Sequence, residues 1–362
     1  MHTIQFAFPA AGVMLTQAAG KLVPDGLQIT CILNVEPHRN LTVNGITCVR
    51  GTEDLRAKVT LTEYRNTLIA RDTDTGEQTA IDVFFLKNGH KKYRFSLDDN
   101  IWFLQNLARN AHVYRSLFED PYLKLLKTMH DRHGTKFHVN LYYECPEHGG
   151  FCLPQMPDTY KPEWKANAHW LKLSFHANAN LPHRPYKWAS FEQTQFEFAR
   201  VRNEILRFAG EDAYAGPVTC IHWGETSVAA IRALRREGIR ELVVSGKYYD
   251  PTNTPIALHL NAEQCALVNI YGYYYDKAED MFLHRYAGGL QRVPLSEVNA
   301  LYDTFAKQHP LYTWIELCVH EQYFYPDYCN YMPDYYERFE AGIRWCVEHG
   351  YEPAFISEVM HF

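Results

Sequence analysis

From Tyr93 onward the apolar residues of this chain switch repeatedly between a period of two, which suits a strand, and a spacing of three and four, which suits a helix. Strand candidates are Tyr93–Leu97, Lys136–Tyr143, Leu171–Phe175, Val218–Ile221, Glu241–Val244, Met281–Tyr286, Trp314–Val319 and Pro353–Ile356. Between them run amphipathic stretches such as Trp102-Phe103-Leu104 to Leu107, Leu123 to Met129, Phe196 to Leu206, Val228 to Leu234 and Phe339 to Val347. Strand and helix alternating over about 270 residues predict a parallel α/β arrangement, and seven or eight repeats favour a closed barrel over an open sheet. No Gly-x-Gly-x-x-Gly or Gly-x-x-x-x-Gly-Lys segment follows any of these strands, so dinucleotide and nucleoside-triphosphate binding lack their usual support.

The first 91 residues follow other rules. Only Phe6, Phe8, Tyr64, Phe84 and Phe85 of the 52 aromatic residues lie before Tyr93. Short β-branched or alternating runs, Leu27–Leu33, Leu41–Val43, Ala57–Thr62, Thr67–Ala70 and Ala80–Leu86, are separated by Pro24-Asp25-Gly26, Asn44-Gly45 and Asp74-Thr75-Gly76. Such spacing predicts a small all-β, sandwich-like domain over residues 1–91, followed by the (β/α) barrel domain over 92–362.

Composition narrows the function classes. There are 36 Lys and Arg against 42 Asp and Glu, a formal net charge of -6, which gives no electrostatic reason to expect nucleic acid as a partner. Nine cysteines, without a Cys-x-x-Cys pair, argue against a disulfide framework and a structural zinc site, and fit reduced thiols inside a cell. The segment Cys145-Pro-Glu-His148 to Cys152 reads as a loop that contains two thiols. With no basic leader and no apolar span of membrane length, the expectation is a cytoplasmic protein without a membrane partner; a homo-oligomer is compatible with the sequence.

Barrel enzymes carry their reactive groups where the strands end at the C-terminal rim. Here the strand ends read Ser96-Leu97-Asp98-Asp99-Asn100, Ser174-Phe175-His176, Ile221-His222-Trp223-Gly224-Glu225 and Val319-His320-Glu321-Gln322. Strand alternation would aim Asp98 and Asp99 in different directions. One Asp with two imidazoles is a sensible ligand set for zinc or another divalent ion, while a second Asp as base and a His as acid complete an amide or ester hydrolase. The tyrosine-rich runs Tyr271–Tyr275 and Tyr323–Tyr328 suit stacking on sugar rings or interior packing, and Arg184 sits in a Pro-rich rim loop.

These residues resemble the polysaccharide deacetylase family, metal-dependent carbohydrate esterases with a distorted (β/α)7 barrel. Phe95-Ser-Leu-Asp98-Asp99 is similar to the Thr-Phe-Asp-Asp with which that family opens its barrel, which implies that Asp98 is the base and Asp99 a metal ligand. The family's pair of histidines four residues apart is matched by His176-Ala-Asn-Ala-Asn180, so the second histidine is replaced by Asn180, and either His222 or His320 supplies the third ligand or the site binds metal weakly or not at all. Leu317-Cys-Val-His320 loosely matches the motif that carries the acid. Together with Trp170-Leu-Lys-Leu-Ser-Phe-His176 and His320-Glu-Gln-Tyr-Phe-Tyr-Pro326, the pattern looks like a bacterial group of deacetylase-like proteins with a β domain in front.

The expected function is therefore metal-dependent removal of an N- or O-acyl group from a small carbohydrate-like substrate. Asp99, His176 and His222 would hold zinc, or nickel, cobalt or magnesium; Asp98 would be the base and His320 the acid. Glu225 and Glu321 would orient the imidazoles, with Asn180, Arg184, Trp223 and Tyr323 near the substrate. The alternatives are a degenerate barrel that binds carbohydrate without catalysis, and a metal-free glycoside hydrolase built on Glu225 and Glu321.

Overall fold

The computed structural model describes residues 4–34, 38–244 and 259–361. In the first region two five-stranded sheets face one another. One sheet centres on Gly26–Asn34 between Gln5–Phe8 and Leu55–Leu61; the other centres on Arg65–Asp72 between Gln78–Phe85 and Leu41–Val43. Alternation decides which face is buried: Leu55, Ala57, Val59 and Leu61 point inward while Arg56 and Lys58 face out. Residues from both sheets, among them Leu27, Ile29, Leu33, Leu68, Ala70 and Phe85, form one apolar core. Asn44 and Gly45 both take positive φ, 47° and 80°, the conformation of a tight hairpin turn between Leu41–Val43 and Ile46–Thr47.

The second region is mixed α/β. One sheet holds the parallel strands Leu171–Ala177, Phe137–Tyr142, Lys92–Asn100, Trp314–His320 and Gly288–Gly289, in that order. A second sheet holds Val218–Cys220, Glu241–Val244 and Met281–Arg285, with Tyr273–Asp276 as an antiparallel edge. Among the described residues the ladder that a fully hydrogen-bonded barrel requires is interrupted, so the strands form two sheets. On one side the chain crosses between them within two residues: Tyr286 N donates to Val244 O and Ala287 N to Glu316 O. On the other side, between Leu171–Ala177 and Val218–Cys220, isolated bonds replace the ladder. Ala215 N donates to Leu173 O, the Thr219 hydroxyl to Phe175 O, and His176 Nδ1 to Cys220 O at 2.6 Å.

The central strands are buried on both faces, and the faces differ in chemistry. Tyr93, Phe95 and Leu97 pack outward under helices, with Phe95 stacked on Phe339 of the helix Tyr335–Glu348 at 4.1 Å. Arg94, Ser96 and Asp98 turn the other way, as do His138, Asn140 and Tyr142 in the next strand and Ser174 and His176 in the one after. A column of polar side chains thus fills the interior, where each member must find a hydrogen-bond partner. It is this column that carries polar groups up to the strand ends.

The β region docks onto this scaffold through Tyr271, which enters the sandwich core, and through Tyr275 N, which donates to Gly12 O at 2.7 Å. Tyr271, Tyr273 and Tyr275 are buried, so the Tyr271–Tyr275 run packs and offers no stacking surface for sugars. Among the described residues no helix is long and apolar enough to cross a membrane.

Candidate functional site

The Lys92–Asn100 strand does not end regularly. Its register against Phe137–Tyr142 shifts between Leu97 and Asn100, and Asp99 takes φ +60°. The Asn100 side chain braces this bulge by donating to Leu97 O at 2.6 Å and Asn140 O at 3.2 Å. A bulge re-aims a side chain, and here it cancels the alternation that would have separated the two aspartates. Both carboxylates now reach His176 and His320, so the expectation that they point apart is corrected. A left-handed Asp costs on the order of 1 kcal/mol or more, offset by the bonds that fix it.

Asp99 Oδ1 lies 3.0 Å from His176 Nε2 and 3.1 Å from His222 Nδ1, and the two nitrogens are 3.2 Å apart. The outer nitrogens decide the tautomers. His176 Nδ1 meets the carbonyl of Cys220 at 2.6 Å and His222 Nε2 meets the carbonyl of Asn180 at 3.2 Å. A carbonyl only accepts, so these nitrogens carry the hydrogens and the neutral rings turn bare nitrogens toward Asp99. Three acceptors thus converge, an arrangement that needs a cation or a shared proton. Burial pushes Asp99 up, but the His320 charge and the bonds from His176 and His222 outweigh it and hold its carboxyl well below the usual range. Burial lowers both imidazoles; Asp99, Asp98 and the Cys220 carbonyl reverse this for His176, which is raised, whereas His222 remains lowered, with His176 as a further opposing charge.

The triangle also fits a metal. Ligand atoms around tetrahedral zinc stand about 3.3 Å apart, given bonds of roughly 2.0–2.1 Å, close to the separations here of 3.0, 3.1 and 3.2 Å. Asn180 is not one of the three. It offers its backbone carbonyl to His222, and its side-chain oxygen lies 3.3 Å from the Tyr142 hydroxyl. His222 stands in the third position instead, on the short turn His222–Gly224 after its strand. His320, more exposed, approaches the other oxygen of Asp99 at 3.6 Å.

Tyr142 is a site residue that sequence reasoning missed. Its hydroxyl donates to Asp99 Oδ1 and lies 3.0 Å from His222 Nδ1. Replacing it with Phe should weaken divalent-metal binding about 10- to 100-fold, the usual effect of removing a group that orients a ligand; isothermal titration with zinc against a competing chelator measures it.

Asp98 is held from below. Its Oδ1 accepts from Asn140 Nδ2 at 2.7 Å and Ser96 Oγ at 3.2 Å, and its Oδ2 from the Tyr286 hydroxyl at 2.7 Å, with the thiol of Cys220 at 3.5 Å. The Asn140 bond ends a chain of fixed direction. Arg94 can only donate, so His138 Nδ1 accepts from it at 2.5 Å and His138 Nε2 donates to Ser174 Oγ at 2.7 Å; Ser174 donates to Asn140 Oδ1 at 2.6 Å. Asn140 and Ser174 had one signal in the sequence, polar residues spaced by two inside otherwise apolar strands, whereas Tyr286, just past Met281–Arg285, and Cys220 had none.

Other predicted residues serve elsewhere. Glu321 does not orient an imidazole: fully buried, it accepts from the backbone N–H of Ile101, Trp102 and Phe103 at 2.6, 3.0 and 2.6 Å, and from the Tyr325 hydroxyl. It caps the helix Trp102–Arg109, whose N-terminal amides have no other side-chain acceptor at the cap residue Ile101. Burial pushes its carboxyl up to about 8 against those bonds. Glu225 likewise faces Arg184 at 3.2 Å and Lys187 at 3.1 Å, tying the rim loop down. With both carboxylates engaged in this way, the geometry gives no support to a Glu225–Glu321 glycosidase pair. Arg184 lies over the ring of Trp223 at 5.6 Å, both exposed at the rim, and Tyr323 lies beside His320 with ring centres 5.7 Å apart. Cys145 and Cys152 flank a small hairpin whose His148 stacks on Trp102.

No protein-family model matches the chain, and no curated protein matches it. Among solved structures it is similar to a CE4 family pseudoenzyme from Bacillus anthracis, at 9% identity and a TM-score of 0.33, over 75% of this chain and 65% of that one. It is similar to a mutant of that pseudoenzyme with restored enzymatic activity, at 9% identity and TM-score 0.33, over 81% and 86% of the two chains. It is also similar to the 4-alpha-glucanotransferase of Thermococcus litoralis, at 14% identity and TM-score 0.47, over 75% of this chain and 40% of that one. Likeness this loose assigns no residue a role.

Proposed function

We propose that the protein is a metal-dependent hydrolase that removes an acyl group from a carbohydrate-like substrate, on a scaffold read as a distorted seven-stranded barrel. The observation that carries this reading is the convergence of Asp99 Oδ1, His176 Nε2 and His222 Nδ1, each imidazole locked by a backbone carbonyl so that its bare nitrogen faces the others. These three residues would hold the ion. A divalent cation there supplies Lewis acidity, which polarises an acyl carbonyl and lowers the pKa of water.

The chain's own groups do the rest. Asp98 Oδ2, whose bonds beyond Tyr286 are to weak thiol donors, is the oxygen left to accept a proton from the attacking water. His320, half-exposed and within 3.6 Å of Asp99, is placed to return a proton to the leaving group. Trp223 and Arg184 offer an aromatic face and a cation beside the site, suited to a sugar ring and its hydroxyls.

The test is hydrolysis of acetylated probes, p-nitrophenyl acetate and N- and O-acetylated sugars, by the zinc-loaded protein. Asp98→Asn and His320→Ala should each lower kcat by about 10²- to 10⁴-fold, the worth of one general base or acid, with metal content unchanged. Turnover that survives both substitutions would sink the reading. Carbohydrate binding without turnover is favoured instead by one observation, that Asp98 is 4% exposed and bonded at both oxygens. That second reading predicts sugar binding that survives Asp98→Asn and no release of acetate from any probe.

A further inference from the structure

At the end of the parallel strands opposite the Asp99 cluster there is a cavity of about 240 Å³, lined among others by Arg94, His138, Lys172, Gly216, Phe355 and Ser357. It opens where the ladder between Leu171–Ala177 and Val218–Cys220 is missing, and the C-terminal segment around Phe355 forms its other wall. No carboxylate is among its lining residues. Its volume exceeds the roughly 30 Å³ of a water molecule many times over yet falls below the roughly 300 Å³ at which pockets for drug-sized ligands begin. Gly216, at φ +67° with nothing within 4 Å of where a Cβ would sit, leaves one side of it clear.

The donors on its wall are only partly used. Arg94 is 1% exposed; its Nε serves Glu316 at 2.8 and 3.1 Å and its Nη1 serves His138, but its Nη2 is a buried donor with no acceptor. A buried charged donor left open is costly. Lys172 Nζ meets a backbone carbonyl, Asp212 O, and Lys165 rather than Lys172 faces the Asp212 carboxylate, at 3.5 Å. The acidic groups nearest these cations are Glu316 and Glu241 behind Arg94, and Asp212 and Glu358 around Lys172. Glu316 pairs with Arg94 at 2.8 Å and is pushed up by burial to about 7, and burial pushes Glu241 well above the carboxylate range.

We propose that this cavity is a second binding site, selective for a small oxyanion such as phosphate or a carboxylate, with Arg94 and Lys172 as its binding residues. The site lies apart from the metal cluster and does not depend on the hydrolase reading. Because Arg94 also starts the hydrogen-bond chain that ends on Asp98, an anion there sits at the foot of the polar column.

The full chain is titrated calorimetrically with inorganic phosphate, with chloride at matched ionic strength as control. The proposal expects saturable one-site binding of phosphate and none of chloride. Lys172→Met should weaken it at least 10-fold, and Arg94→Lys, checked for folding by circular dichroism, should weaken it as well. Asp99→Asn should bind phosphate as the wild type does. Acetate in place of phosphate separates the two sources of oxyanion, and saturation by either supports the site. No saturable heat with either anion at millimolar concentration, binding untouched by Lys172→Met, or binding lost in Asp99→Asn would each overturn it.

Discussion

Asp99→Ala is expected to lower zinc affinity by about 10²- to 10³-fold, and His176→Ala and His222→Ala by similar factors. Apparent binding energies of structural zinc run to roughly 10–16 kcal/mol shared over four ligands, so one ligand is worth about 3–4 kcal/mol, and about 1.4 kcal/mol is a factor of ten. The three donor atoms stand 3.0, 3.1 and 3.2 Å apart, and neither imidazole can turn its other nitrogen inward without giving up its bond to a carbonyl. His320→Ala, by contrast, should leave affinity within a few-fold, since its nitrogen is 3.6 Å from the opposite oxygen of Asp99. Competition titration against a chromogenic chelator reads all four variants. A large loss in His320→Ala with little in His222→Ala would exchange the roles of the two histidines.

The second large effect is on stability. Glu321→Ala should destabilise the protein by about 3–5 kcal/mol, because it strips one acceptor from three helix N–H groups and a phenol at once. A lost N-cap costs about 1 kcal/mol and each buried donor left unpaired about 1–3, with water entering the space offsetting part of the sum. Glu321→Gln keeps one acceptor oxygen and should cost roughly half as much by the same reasoning. Urea unfolding followed by circular dichroism measures both. Were Glu321 an orienting partner of the imidazoles instead, its loss would lower metal affinity and leave stability nearly unchanged.

The sequence around Glu321 imitates an imidazole partner. In His320-Glu321-Gln322 the glutamate follows a strand-end histidine, which is how an imidazole partner would look, and nothing local shows that the helix it caps begins at Trp102, more than two hundred residues earlier. Periodicity does report the elements. Leu171–Ala177 and Trp314–His320 lie where the alternation of apolar residues places strands, and Val228–Arg236 where the spacing of Val228, Ile231 and Leu234 places a helix. It cannot report how strands close on one another. The Thr219 and His176 side chains that bridge Leu171–Ala177 to Val218–Cys220 belong to segments separated by a long helical excursion.

The same limit applies to the site. Asp98, Asp99, His176 and His222 are legible as polar groups at strand ends, but the bulge at Asp99 depends on Asn100 and Asn140, and the tautomers depend on the carbonyls of Cys220 and Asn180. Asn180 shows this most plainly. Its identity suggests a lost ligand, while its backbone carbonyl fixes the ring of His222, which stands in the third position.

Elemental analysis of untagged protein shows whether Asp99, His176 and His222 form one divalent-metal site. About one equivalent of zinc or a similar ion is expected in the wild type, lost in His176→Ala and in His222→Ala and retained in His320→Ala. Wild-type protein that holds no metal after reconstitution, or a His222→Ala variant that still holds a full equivalent, would contradict it.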